Sequence, residues 1–294
     1  MKQKNILASY KNGNYHVLLY EDGTKIRYNN LETLIPDFPE SFDMKISNYC
    51  PFNCPECHEQ SSIKGKKGNI INHPFLQKLH KGTEVAIGGG AVTLHPELIP
   101  FLFQLKVKGI FPSITINQQE YDSKYINYLI KRKLIYGLGV SFSEFNEEIW
   151  NQILTYPNTV VHLIAGYHDT KVFEYFANKK AKILILGYKN WGRGQQYYNN
   201  NSYLIQQNIN KLQKILPDLL KKCKVISFDN LSIEQLNIQN FLGETEYKKM
   251  YMGNDGEYTM YIDLVKNQCA QSSISPIRKP LSEFDDMWQE LKKK

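Results

Sequence analysis

Three cysteines carry the clearest chemistry in this chain: Cys50-Pro-Phe-Asn-Cys54-Pro-Glu-Cys57, a C-x3-C-x2-C run. Three thiolates on one tight loop can hold three irons of a cubane cluster, and the fourth iron is then free to take a small molecule. Pro51 and Pro55 stiffen the loop, and Asn53 tolerates a strained backbone. Zinc is the competing reading. A closed zinc site normally has four protein ligands. No second C-x2-C exists, His58 follows Cys57 directly and would form an awkward chelate, and Cys223 and Cys269 stand alone. An odd count of five cysteines without an apolar leader argues against a disulfide framework.

The elements around this loop fix where it must sit. Ile6–Tyr10, His16–Tyr20 and Lys25–Tyr28 are β-rich runs separated by Asn-Gly and Asp-Gly turns, and they predict a small β meander ahead of the main domain. A βα alternation follows. Strands are expected at 42–47, 84–87, 113–117, 138–143, 159–165 and 182–186, rich in Val, Ile and Leu. Helical period fills 96–108, 121–132, 145–155 and 170–179, each the length of a crossover helix. Such a pattern predicts a parallel sheet covered on its outer face. Six strands are too few for a closed eight-stranded barrel, so an open or partial barrel is expected. Beyond residue 200 the reading is less regular: a helix at 204–222, strands at 224–228, 258–265 and 269–272, and a closing helix at 281–293.

Ligands in parallel α/β folds sit at the carboxyl ends of the strands. The cysteine run, Gly88-Gly89-Gly90, Asn117, Ser143, Gly166 and Tyr188 all fall at such ends. This convergence is independent of the metal motif. The loop after the sixth strand, 186–194, joins glycines, aromatics and cations. Tyr188, Lys189, Trp191 and Arg193 suit an anionic or planar ligand there. Asp229-Asn230 is a second polar candidate, and it also looks like a helix start. His162 is either a satisfied core residue or a barrel-facing group. Cys269 reads as a buried thiol.

A C-x3-C-x2-C run just after the first strand of a (β/α) domain resembles the radical-SAM superfamily. The segment Gly88-Gly-Gly-Ala-Val-Thr-Leu-His-Pro-Glu-Leu98 resembles that family's Gly-Gly-Glu-Pro-like segment at the end of the second strand. The resemblance implies an α/β partial (β/α)6 TIM-like barrel with an N-terminal β meander and a small C-terminal extension. It implies a [4Fe–4S] cluster on Cys50, Cys54 and Cys57. It further implies S-adenosylmethionine (SAM) on the open iron, cleaved after one-electron reduction to a 5′-deoxyadenosyl radical that takes hydrogen from a substrate. Gly88, Gly89, Gly90, Asn117, Ser141, Ser143 and Gly166 are the residues it assigns to SAM. Two positions depart from the family pattern: Ala91 and Val92 stand where Glu and Pro are common, and Glu56 stands where an aromatic is usual.

The remaining expectations concern organisation and partners. With 294 residues, 42% hydrophobic and 22% charged, the chain can bury a large core. Residues 1–40 are expected as an accessory element, 41–200 as the core barrel and 201–294 as an extension that completes or caps it. No apolar run is long enough for a membrane span, and a cytoplasmic location is the expectation. The net charge of +7 rests on lysine clusters such as Lys64, Lys66 and Lys67 and the final Lys292–Lys294, which read first as a solvated surface. The substrate is a small metabolite, nucleotide or peptide, with Tyr188, Lys189, Arg193, Asp229 and Asn230 as candidate contacts. An external one-electron donor such as flavodoxin or ferredoxin is implied. A non-catalytic zinc or iron–sulfur module with a basic nucleic-acid-binding surface is the alternative, and a glycyl-radical activase is a lower-ranked one.

Overall fold

The computed structural model describes residues 5–31 and 33–293. Residues 1–4, 32 and 294, which the expected terminal segments and the last lysine cluster take in, lie outside the described residues. The chain opens with β1 (Ile6–Asn12), β2 (Tyr15–Tyr20) and β3 (Lys25–Tyr28), paired antiparallel in that order. The first turn needs its glycine: Gly13 has φ +58°, and a Cβ there would lie 1.8 Å from the Ile35 carbonyl oxygen. Tyr15 and Val17 of β2 are fully buried.

The second sheet has ten strands. These are β4 (Ser41–Ser47), β5 (Glu84–Gly89), β6 (Phe111–Asn117), β7 (Gly137–Ser141), β8 (Thr159–Ile164), β9 (Lys182–Leu186), β10 (Val225–Phe228), β11 (Thr259–Asp263), β12 (Gln268–Ala270) and β13 (Lys279–Pro280). Their order is β10-β9-β8-β7-β6-β5-β4-β11-β12-β13. Pairing is parallel from β10 through to β11, and β12 and β13 add antiparallel. Helices α1 (Leu98–Val107), α2 (Ser123–Lys131), α3 (Glu147–Ile153) and α4 (Thr170–Asn178) form the crossovers. Asp122, Asn146 and Asp169 cap three of them by accepting backbone N–H bonds, so local chemistry and the βα rhythm agree.

Alternation along the strands separates two faces. Val85, Ile114, Val140, Leu163 and Ile183 are buried on one face. Ala86, Ser113, Gly139, Val160 and Leu184 line a single cavity of about 720 Å³ on the other, so the sheet wraps around it. β10 and β11 do not pair with each other, and the barrel stays open. The parallel run therefore holds two strands beyond the six expected, one at each end of the run, and β12 and β13 continue the sheet past β11. β11 reaches its place beside β4 only after α5 (Arg193–Lys222), β10, α6 (Asn230–Gln235), α7 (Ile238–Leu242) and α8 (Glu244–Met250), so chain order hides it. α5 also starts earlier than expected. Its first part, Arg193-Gly-Gln-Gln-Tyr-Tyr-Asn-Asn, has little apolar period, and it meets the rest at non-helical Asn201.

The β2–β3 turn lies across the amino-terminal mouth of the barrel. Asn158 Nδ2 donates to Glu21 O (2.6 Å), Lys182 Nζ to Asp22 O (3.3 Å), and Lys25 pairs with Glu84 at 2.5 Å. Glu21, Asp22 and Gly23 line the bottom of the cavity. Helix α9 (Phe284–Lys292) ties the chain ends together, with Trp288 Nε1 donating to Asp37 O at 2.8 Å. No helix among the described residues is long and apolar enough to cross a membrane.

Candidate cofactor and substrate site

Cys50, Cys54 and Cys57 line the upper rim of the cavity, at the carboxyl end of β4. The loop is pinned by backbone bonds: Cys50 N donates to Ser62 O (3.0 Å) and Asn48 N to Lys66 O (2.7 Å). Asn53 takes φ +50°, the strained conformation its side chain tolerates. Arg193 clamps the loop from the start of α5. Its Nε donates to Cys54 O (2.8 Å), its Nη1 to Ser61 O (2.9 Å) and its backbone N to Cys57 O (3.1 Å). The guanidinium thus serves the loop and does not face the cavity, where the sequence suggested a ligand contact.

Burial pushes the Cys54 thiol up to about 12, with Glu56, Cys57 and Cys50 adding to it; burial also raises Cys50. Thiols this raised need a positive partner to ionise. Among the described residues no group of three His, Cys, Asp or Glu converges as a single ion requires. All three thiols line one cavity, and an iron–sulfur cluster takes one thiolate per iron. Asn117 Nδ2 reaches Cys54 Sγ at 3.8 Å, a bond that would tune such a sulfur.

The glycine triplet divides its work. A Cβ on Gly90 would lie 2.2 Å from Tyr49 O, and one on Gly89 (φ +120°) 2.4 Å from Ser47 O, so both let β5 press against the cysteine loop. A Cβ on Gly88 would meet nothing within 4 Å, and Gly88 opens onto the cavity. Beside the triplet stands a carboxylate that the sequence reading did not assign. Glu120 lines the cavity and accepts from Thr93 N (3.0 Å), Thr93 Oγ1 (2.8 Å) and Asn117 N (2.9 Å). Burial pushes its carboxyl up while these donors pull it down. The Asn-x-x-Glu capping box of 117–120 was the available signal.

Glu56 also faces the cavity, and its Oε2 is buried without a hydrogen-bond partner. Burial and the neighbouring Glu56 carboxylate push the Tyr167 phenol up, and its ring packs on Tyr197, with ring centroids 5.3 Å apart. Phe52 and Tyr188 also line the cavity.

The other assigned residues fall into two groups. Asn117, Ser141, Tyr188, Lys189 and Asp229 line the cavity. Lys189 Nζ bonds to Ser273 Oγ (3.0 Å), and Asp229 is the N-cap of α6. Ser143, Gly166 and Asn230 do not line it. Ser143 donates to Gln118 Oε1 (3.2 Å from N), Gly166 O accepts from Asn208 Nδ2 (3.1 Å), and Asn230 Nδ2 donates to Asp255 Oδ1 (2.7 Å). His162 does face the cavity; burial and then the Lys189 charge lower its pKa to about 4, so it is neutral. Gly139 leaves it room, since a Cβ there would lie 2.6 Å from His162 Cε1. Cys269 is buried with its thiol toward Lys279 O (3.6 Å), away from the site. Asp43 was not singled out at all, yet it opens into the middle of the cavity. The alternation Phe42-Asp43-Met44-Lys45-Ile46 puts Asp43 and Lys45 on one face of β4, and that was the missed signal.

No family model matches the sequence, and no curated protein matches it. Solved structures do match in fold. SuiB of Streptococcus suis bound to S-adenosylmethionine gives TM-score 0.62 at 13% identity, over 98% of this chain and 89% of that one. SuiB bound to the precursor peptide SuiA gives 0.58 at 16% identity, over 86% of this chain. This chain covers 65% of that one, less than two thirds. Hexahistidine-tagged anSMEcpe with bound AdoMet gives 0.55 at 13% identity, over 86% of this chain and 82% of that one. At such identities the likeness is one of fold: this chain folds as SuiB and anSMEcpe do, and both were solved with S-adenosylmethionine, the ligand that the radical-SAM resemblance implies.

Proposed function

We propose that this chain is a radical-SAM enzyme, with a [4Fe–4S] cluster on Cys50, Cys54 and Cys57 and S-adenosylmethionine beside it. The observation that carries this reading is the placement of all three thiols on the rim of one cavity, at the carboxyl ends of parallel strands. The fold shared with proteins solved with S-adenosylmethionine supports it. When bound, the cluster and S-adenosylmethionine supply a 5′-deoxyadenosyl radical able to take a hydrogen atom from a substrate.

The chain's own residues hold and orient. Arg193 fixes the cysteine loop. Gly88 leaves space for the methionyl group, and Glu120 offers the carboxylate for its amino group that Ala91 lacks. Asn117 and Ser141 are placed for the ribose or the carboxylate. Phe52, Tyr167 and Tyr188 would hold the adenine, with the unpartnered Glu56 oxygen as an acceptor. The substrate lies deeper, below Lys189. A peptide is the favoured substrate class, because SuiB was solved with a precursor peptide. The electron comes from an external donor such as flavodoxin or ferredoxin. In this reading residues 41–200 are the core, 1–40 an N-terminal element and 201–294 an extension.

Anaerobic reconstitution with iron and sulfide tests the reading. A brown protein with about four irons per chain is expected. With dithionite and S-adenosylmethionine it should release 5′-deoxyadenosine. Cys50→Ala, Cys54→Ala and Cys57→Ala should each lose colour and iron, whereas Cys223→Ala and Cys269→Ala should keep both. A colourless chain holding one zinc would refute the proposal.

A further inference from the structure

Asp43 stands inside the barrel without a partner. It is exposed to the cavity, on the inward face of β4. Among the described residues it makes no hydrogen bond and no ion pair within 4 Å. Its carboxylate feels the Lys189 charge through space but has no direct bond, so its oxygens are available to a ligand. Its strand neighbours leave it accessible: it pairs in register with Ala86 on β5, whose side chain is a single methyl. The other neighbour in register is Tyr261 on β11, whose hydroxyl is turned to Glu59 (3.0 Å).

The charged groups nearby are otherwise engaged. Lys45 is held by Glu59 (2.5 Å) and Asp263 (3.4 Å). Lys189 feels Asp43 through space, but its ammonium is bonded to Ser273. Asp229 is committed to the backbone N–H groups of Gly187 (2.9 Å) and Ser232 (2.8 Å). His162, facing the same space, is neutral. Asp43 is therefore the one lumen carboxylate among these whose oxygens lack a partner.

We infer that Asp43 anchors a cationic group of the substrate, an amine or a guanidinium, in the interior of the barrel. This rests on the reading of the cavity as the radical-SAM substrate site and names the chemistry of what enters it. A cation there completes the missing ion pair, and charge-assisted bonds in a walled cavity are strong. The cation can come from a lysine or arginine side chain of a peptide or from a free polyamine, and the two sources are separable.

Calorimetry on the reconstituted wild-type holoprotein tests this with defined probes. N-acetyl-lysine-N-methylamide and N-acetyl-arginine-N-methylamide are compared with the norleucine and glutamate analogues, and putrescine is titrated separately. The cationic residues should bind at least about tenfold more tightly than norleucine. Asp43→Asn should remove that preference. Selectivity for the capped residues over putrescine marks a peptide source, and the reverse marks a polyamine. Equal affinity for lysine, norleucine and glutamate probes in the wild type overturns the inference without recourse to a variant, as does a preference that survives Asp43→Asn. S-adenosylmethionine titrated into the same wild-type sample reports the cofactor reading separately. If it binds while cation selectivity is absent, only the role of Asp43 fails.

Discussion

Gly88 and Gly90 stand two positions apart and tolerate different changes. Gly90→Ala sets a methyl 2.2 Å from the Tyr49 carbonyl oxygen, and backbone must shift to admit it. A loss of about 1–3 kcal/mol is expected in urea unfolding, together with lower iron content after reconstitution. Gly88→Ala meets nothing within 4 Å and should leave stability within about 0.5 kcal/mol. Its methyl projects into the cavity, so weaker S-adenosylmethionine binding is expected in calorimetry. Stability unchanged in Gly90→Ala would contradict the division between the two glycines. His168 gives a pH prediction. Burial lowers its pKa to about 4, and its Nδ1 accepts from Ile164 N at 2.7 Å. The folded state therefore resists the proton more than the unfolded chain, whose imidazole titrates near 6.5. This contribution is whole above pH 6.5 and is lost as the pH falls toward 4, by about 3 kcal/mol. His162 acts in the same sense. His168→Gln should flatten the slope of unfolding free energy against pH in that window, and an unchanged slope would count against the buried neutral imidazole.

At the scale of elements, the start of α5 matters most to the site. Arg193→Met removes two side-chain bonds and leaves Cys54 O and Ser61 O without those donors. A loss of about 1–3 kcal/mol is expected, and iron content should fall although no thiol has changed. Arg193→Lys should restore little, because an ammonium lacks the fork that reaches both carbonyls. The sequence did not disclose this role. Arg193 read as a ligand contact because a cation in a glycine-rich loop at a barrel mouth suggests an anion, and the polar stretch behind it has too little apolar period to read as helix. The core strands were legible because runs such as Ile183–Leu186 are apolar and evenly spaced, and the carboxylates at helix starts agree with them. β10 and β11 were legible as strands but not as the two ends of the parallel run, since that placement depends on long-range pairing that no local pattern carries. The cysteine loop was plain from spacing alone. Asp43 and Glu120 were not, because each becomes meaningful only when the sheet curls and decides which alternate residues face inward.

The whole molecule is braced by contacts between its two ends. Glu40 is fully buried and takes Arg27 at 2.9 Å, and the Arg27 guanidinium lies 3.9 Å above the Tyr258 ring. Trp288, buried on α9, holds the Asp37 carbonyl. Trp288→Ala should lower stability by about 3–5 kcal/mol. Hydrogen exchange should then quicken in β1–β3 as well as in α9, because the tryptophan fastens the segment that leads from the meander into β4. Faster exchange in α9 alone would show that the two ends are not coupled. The meander's tip has a further consequence. With Glu21–Gly23 held by Asn158 and Lys182, the meander's tip sits over the amino-terminal ends of the strands, and a substrate of the proposed enzyme would approach from the opposite side, where the cysteine loop stands.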